Sequence, residues 1–266
     1  MPQKTVLITG CSKGGLGEAM AKAYQARGFR VFATLRNKSK GKSLEGLQDI
    51  EILELDVTSE ESVRQCAETV KKLTGGSLDI LVNNAGIAII MPLLDTSVEE
   101  AKRVYDTNVW AVLLMTQAFA PMLIKSKGTV CNISSVSGEL VFAWQETLGL
   151  EMAPLGVRVV TVVLGGVETT GNNPDNRKDL ELPPNSFYET IYAAINRHQK
   201  GLIHINKQNV DMAARNVVND TLTGGAGFVR RGQASSLSWW FNTFLSHALT
   251  TKFANGESGL ADLGGK

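Results

Sequence analysis

Short apolar runs rich in β-branched residues alternate along this chain with longer stretches whose apolar positions recur at helical spacing. The runs are Thr5 to Ile8, Phe29 to Leu35, Ile50 to Leu55, Leu78 to Val82, Thr129 to Ser134, Val157 to Leu164 and Phe228 to Arg231. Between them, Glu18 to Tyr24 reads as a helix closed by Arg27-Gly28. Thr58-Ser59-Glu60-Glu61 reads as a capping box opening another. Ser97-Val98-Glu99-Glu100 opens a long helix that ends near Lys125, and Tyr188 to Gln199 and Val210 to Leu222 read as two more. Strands and helices in strict alternation predict an α/β fold, a doubly wound parallel sheet with helices on both faces. Arg36 to Gly46 reads as a basic linker, and Asn172 to Pro184 as a polar loop over a ligand site.

The boundary falls after the last strand, giving one domain over residues 1–232 and a C-terminal helical extension over 233–266. In the extension, Leu237 to Phe253 carries Trp239, Trp240, Phe241, Phe244, Leu245, Ala248, Leu249 and Phe253 as an apolar stripe. It predicts packing on the domain or a subunit, or an amphipathic helix in peripheral contact with a lipid surface. Composition narrows the field further. The 266 residues are 43% hydrophobic and carry a net charge of +1, which gives no broad electrostatic reason to expect nucleic acid. Cys11, Cys66 and Cys131 lack metal or redox spacing, and His198, His204 and His247 lack metal spacing, so no metal site is expected. With no leader pattern before the first strand and no run of 18 apolar residues, the chain is expected in the cytoplasm. Attachment to lipid droplets or the endoplasmic reticulum is the alternative.

The chemistry begins where the first strand runs into Thr9-Gly10-Cys11-Ser12-Lys13-Gly14-Gly15-Leu16-Gly17 and then a helix. Glycines let the backbone approach a pyrophosphate, and the free amides at a helix start face its negative charge. This predicts a Rossmann-type dinucleotide site with Gly10, Ser12, Lys13, Gly15, Leu16 and Gly17 in contact. The further candidates all lie near the carboxyl ends of strands, where open α/β sheets bind ligands. Asp56 closes the third strand at the place of an adenine contact, and Asn83-Asn84-Ala85-Gly86 closes the fourth. The sixth ends in Gly165-Gly166-Val167-Glu168-Thr169, which adds Val167 and Thr169. Lys125 is read either as a solvated charge or as a cofactor contact. The second strand ends in Thr34-Leu35-Arg36-Asn37-Lys38, with no acid to take the ribose hydroxyls of NAD. Arg36 can instead grip a 2′-phosphate bidentately, so NADP is the expected cofactor.

Together these motifs resemble the short-chain dehydrogenase/reductase family, over nearly the whole chain. The glycine turn, one residue longer than the commonest family form, and Glu151-Met152-Ala153-Pro154-Leu155-Gly156 resemble a fungal subgroup that includes 1-acyldihydroxyacetone-phosphate reductases. The resemblance implies hydride exchange between a nicotinamide and a ketone or alcohol, here a lipid-like or secondary-metabolite small molecule. It implies that Ser135, in Asn132-Ile133-Ser134-Ser135, polarises the carbonyl and that Asn108 holds a proton-relay water beside the cofactor. It also implies a homodimer.

One family element is missing. The four tyrosines are Tyr24, Tyr105, Tyr188 and Tyr192, and the residues four positions on are Gly28, Val109, Tyr192 and Asn196, none of them lysine. The Tyr-x-x-x-Lys pair that would donate the proton is therefore absent. Phe142-Ala143-Trp144-Gln145 runs straight into Glu146-Thr147-Leu148, so the resemblance implies a gap of roughly twenty residues. A parallel crossover needs only about a dozen. The expectation is a weak reductase, or a dinucleotide-binding or scaffolding homologue. Tyr188 and Tyr192 are candidates for a relocated phenol, set against ordinary packing on a helix face.

Overall fold

The computed structural model describes residues 3–89, 91–135, 148–170, 177–200, 202, 207–223, 225–232 and 235. The Leu237 to Phe253 stripe, the Gln145–Glu146 junction, His204 and His247 lie outside the described residues. Strands β1 (Thr5–Thr9), β2 (Arg30–Leu35), β3 (Ile50–Glu54), β4 (Ile80–Asn83), β5 (Thr129–Ser135), β6 (Arg158–Leu164) and β7 (Gly227–Arg231) form one sheet. Its order is β3-β2-β1-β4-β5-β6-β7 and every neighbouring pair is parallel. The expected doubly wound fold is what the chain adopts.

Strand sequence and position agree. β1 and β4 are buried at every residue, whereas the edge strands β3 and β7 are only half-buried. Apolar side chains alternate between two layers, as strand geometry requires. Val6, Ile8, Val31 and Ala33 pack with Met20 and Tyr24 of α1 (Leu16–Gln25) and Val217 and Val218 of α7 (Val210–Leu222). Leu7, Phe32, Leu81 and Val130 pack on the other face with Val63 and Val70 of α2 (Glu60–Thr74). Met115 and Phe119 of α4 (Ala111–Ser126) join that second layer. Three free cysteines sit in these layers, and burial pushes the Cys11, Cys66 and Cys131 thiols up to about 12.

Several local readings change. The stretch after β2 is not a loose linker: Lys38–Leu44 forms a 3₁₀ helix, capped by the Asn37 side chain, with Gly41 and Leu44 buried beneath it. α2 starts one residue later than the expected box, because Ser59 accepts the Ser62 amide while Thr58 donates to Asp56. Ser97 does cap α3 (Val98–Tyr105), accepting the Glu100 amide at 3.1 Å. The long helix is continuous over 29 residues from Val98 to Ser126. It passes from α3 to α4 through a π turn at Asp106–Trp110. Its length and composition would suffice to cross a membrane, yet Met115, Phe119 and Leu123 pack it onto the sheet at no more than 1% exposure. Tyr188 to Gln199 divides into a 3₁₀ turn, Glu189–Ile191, and α6, Tyr192–Gln199.

Residues 136–157 join β5 to β6. The two strands pair in parallel register from Thr129↔Arg158 to Ser135↔Leu164. The described part of the connection is helical over residues 148–152, here α5, followed by a 3₁₀ turn at Ala153–Leu155.

Candidate functional site

Between β1 and β4 the strand order reverses, and a cleft opens outside their carboxyl ends, the expected ligand position in such a sheet. Its cavity measures about 460 Å³. Gly10, Ser12, Lys13, Gly15 and Leu16 line it from the glycine turn, Arg36 from the end of β2 and Asp56 from the end of β3. Asn84, Ala85 and Gly86 line it after β4, and Thr169 after β6. Residues scattered over 160 positions thus meet at one edge, as the motifs predicted.

The turn is built by close backbone contact. A methyl group at Gly17 would lie 2.4 Å from the Gly10 carbonyl oxygen, and one at Gly10 would lie 2.9 Å from Ala85 Cα. Only glycine at both places lets α1 rest on the turn and the turn on the segment after β4. The Asn84 side chain stitches these parts together, donating to the Thr9 and Gly10 carbonyls at 2.8 and 3.2 Å. Thr9 Oγ1 in turn accepts the Asn84 and Ala85 amides, both at 2.9 Å. Gly15 is the N-cap of α1 and has no capping side chain, so the start of the helix faces the cleft. That cradle fits the pyrophosphate of a dinucleotide.

At the far end of the cleft, Asp56 Oδ1 accepts the Thr58 amide and hydroxyl at 3.0 and 2.7 Å. Burial works against the Asp56 carboxylate, but the Thr58 donors and the Arg36 guanidinium outweigh it and hold its pKa below the usual value. An anionic Asp56 and a cationic Arg36 therefore share this end of the cleft.

The other candidates fall elsewhere, and four expectations are corrected. Lys125 is not at the cleft: α4 runs back against the strands, so its last turn lies at the sheet's amino edge, where Lys125 Nζ donates to Gly75 O at 2.8 Å. Asn83 points into the core between sheet and helices, where its amide donates to Asn132 Oδ1 at 2.9 Å. Val167 is buried in the opposite layer and bridges to Gln208. Gly17 supports the turn from behind and does not line the cavity. Asn108 lies in the π turn at the mouth of the cleft. Its Oδ1 accepts the Ile87 amide at 2.9 Å and its Nδ2 donates to the Ile87 carbonyl at 2.8 Å, so the side chain pins the loop after Gly86. Ser135 ends β5 on the same edge and is exposed, outside the lining of the 460 Å³ cavity.

Sequence reasoning missed Leu35, Leu55, Val57, Thr58, Ile87, Thr107 and Thr170, which also line the cleft. Most adjoin a motif residue, so extending each motif by one position would have found them. Tyr188 and Tyr192 are half-buried and do not line this cavity.

Residues 4–180 match the short chain dehydrogenase family. A short-chain dehydrogenase, cctT, of Talaromyces islandicus is 64% identical, with 98% of this chain and 97% of that protein aligned. The NADPH-dependent 1-acyldihydroxyacetone phosphate reductase of Schizosaccharomyces pombe is 38% identical over 70% of this chain and 68% of its own length. A short chain dehydrogenase from Burkholderia cenocepacia, solved in complex with NADP, shares the fold. Its TM-score is 0.73, at 24% identity over 94% of this chain and 97% of that one. With the family's glycine turn, cleft and strand order all in place, this chain belongs to the short-chain dehydrogenases.

Proposed function

We propose that this protein is an NADPH-linked reductase of a lipid-like or secondary-metabolite ketone, working without the family's usual proton donor. Family membership carries the reaction class, and Arg36 carries the choice of cofactor. It lines the cleft at the end of β2, where an acid would be needed to hold the free ribose hydroxyls of NAD. The lipid-like substrate class rests on the S. pombe relative, a 1-acyldihydroxyacetone phosphate reductase. Gly10, Ser12, Gly15 and Leu16 would hold the pyrophosphate, Asp56 the adenine, and Arg36 with Lys13 the 2′-phosphate. When bound, the nicotinamide supplies the hydride. Ser135, at the end of β5, would polarise the substrate carbonyl, and Asn108 keeps the loop after Gly86 in place.

Titrating the protein with both cofactors is expected to show tighter binding of NADPH. Arg36→Ala should weaken NADPH roughly 10–100-fold, the worth of a charge-assisted bidentate contact, and leave NADH nearly unchanged. Equal affinities in the unmodified chain would overturn the cofactor assignment. A second reading, a dinucleotide-binding or scaffolding homologue, is favoured by the sequence alone, because no tyrosine is followed four residues on by lysine. It predicts NADPH binding with no ketone turnover at all.

We further read the protein as cytoplasmic, with Leu237 to Phe253 as the segment that would bring it to a lipid surface. Vesicle flotation of the full chain against one ending at Ser236 tests this. Flotation of the full chain only is the expected result, and flotation of neither assigns the stripe to packing.

A further inference from the structure

Within the glycine turn, one residue stands apart from its neighbours. Ser12, Lys13, Gly15 and Leu16 line the cleft, but Gly14 does not. Its own amide and carbonyl are each held by a hydrogen bond. The Gly14 amide donates to Glu18 Oε2. The Gly14 carbonyl accepts the Thr170 amide at 3.0 Å, and the neighbouring Lys13 carbonyl accepts the Thr170 hydroxyl, also at 3.0 Å. A methyl group on Gly14 would lie 2.1 Å from Thr170 Cγ2, so the segment after β6 packs directly on its α-carbon. Gly14 also has φ +73°, a conformation that L side chains rarely adopt.

Glu18 is not an ordinary surface acid. Its side chain is 8% exposed at the start of α1, and Lys22 Nζ lies 2.6 Å from its second oxygen. Burial works against this carboxylate, but Lys22, the Ser43 hydroxyl and the Gly14 amide outweigh it and hold its pKa below the usual value. A buried anion that has a lysine on one oxygen and a backbone amide on the other is fixed in place.

We propose that Gly14 is a clasp that fastens the segment after β6 to the phosphate-binding turn, and that Glu18 is the positioning residue that sets it. Thr169 and Thr170 line the cleft on that segment, so the clasp holds one part of the cleft's wall. Its use in holding a dinucleotide rests on the function proposed above. The clasp itself does not.

The test is amide hydrogen exchange, read by NMR on the full chain without cofactor. Glu18→Ala is expected to speed exchange of the Thr170 amide about tenfold, although Glu18 does not touch Thr170. Thr170→Ala is expected to speed exchange of the Gly14 amide by a similar factor, about tenfold. Glu18→Gln retains an acceptor oxygen and should stay within about threefold of the parent at both amides. Leu7 in the central strand is the control for global unfolding. Should Glu18→Ala fail to fold, the Thr170→Ala arm and the Glu18→Gln arm still decide. If each substitution loosens only the hydrogen bond it removes, the clasp is overturned. NADPH titration of the same variants forms a separate arm. About tenfold weaker binding in Glu18→Ala, a residue that does not line the cleft, supports the clasp's role in the cleft. Failure of the parent chain to bind NADPH would sink the dinucleotide reading and leave the exchange result standing.

Discussion

Placing an insert of about twenty residues that bears Tyr-x-x-x-Lys between Gln145 and Glu146 is expected to raise ketone reduction by at least about a hundredfold. General acid catalysis contributes typically ~10²–10⁴-fold, or roughly 3–5 kcal/mol of barrier. None of the chain's four tyrosines lines the cleft. Tyr24 is fully buried at the far side of α1, its hydroxyl 2.6 Å from Thr221 Oγ1, and burial raises its pKa well above the ordinary phenol value. Tyr105 is 57% exposed on α3, and Tyr188 and Tyr192 do not line the cleft. With the carbonyl-polarising role proposed for Ser135, slow turnover with water as the proton source is expected from the parent chain. Ser135→Ala should abolish even that. Steady-state rates with NADPH and a panel of ketones make the comparison. If the unmodified chain turned over at an ordinary ~10 per second, the account of the missing donor would be wrong. Tyr188→Phe and Tyr192→Phe would then locate the substitute.

What could be read in advance depended on how local the cause was. The sheet was legible because central strands in a parallel sheet are buried on both faces, and β1, β2 and β4 are nearly continuous apolar runs. The cleft was legible because its residues cluster at strand ends, one motif per strand. The errors came from direction and parity. Lys125 could have been excluded from topology alone, since a helix that returns between parallel strands carries its C-terminus to the amino edge. Asn83 and Asn84 are adjacent in a motif, yet strand pleating sends Asn83 into the core and leaves Asn84 at the turn. The π turn at Asp106–Trp110 leaves no mark in a helical apolar pattern, because one extra backbone position shifts the face without interrupting it. The 3₁₀ segment Lys38–Leu44 was hidden by its lysines, which say exposed while Leu44 is fully buried. The clasp is a contact between residues separated by more than 150 positions, and no local pattern encodes it.

Replacing Gly17 by alanine is expected to be far more damaging than the same change at Gly28, and the contrast isolates the turn's geometry. At Gly28 the backbone has φ +79° and nothing lies within 4 Å of the added methyl group. Only the left-handed strain is felt there, about 1–2 kcal/mol, and NADPH affinity should be unchanged. At Gly17 the methyl group would sit 2.4 Å from the Gly10 carbonyl oxygen and 2.9 Å from its carbon. Both are backbone atoms, and Gly10 is itself held against Ala85, so neither can yield cheaply. The strain must be met by sliding α1 off the turn. Overpacking of this kind costs typically about 1–3 kcal/mol of stability. The same displacement moves the start of α1, and with it Gly15 and Leu16, away from the phosphate position. Cofactor binding depends on that geometry, so a loss of about a hundredfold or more in NADPH affinity is expected at Gly17, about 2.7 kcal/mol. Thermal melts and NADPH titrations of the two variants provide the measurement. Equal behaviour of Gly17→Ala and Gly28→Ala would show that the approach of α1 to the turn does not control the site.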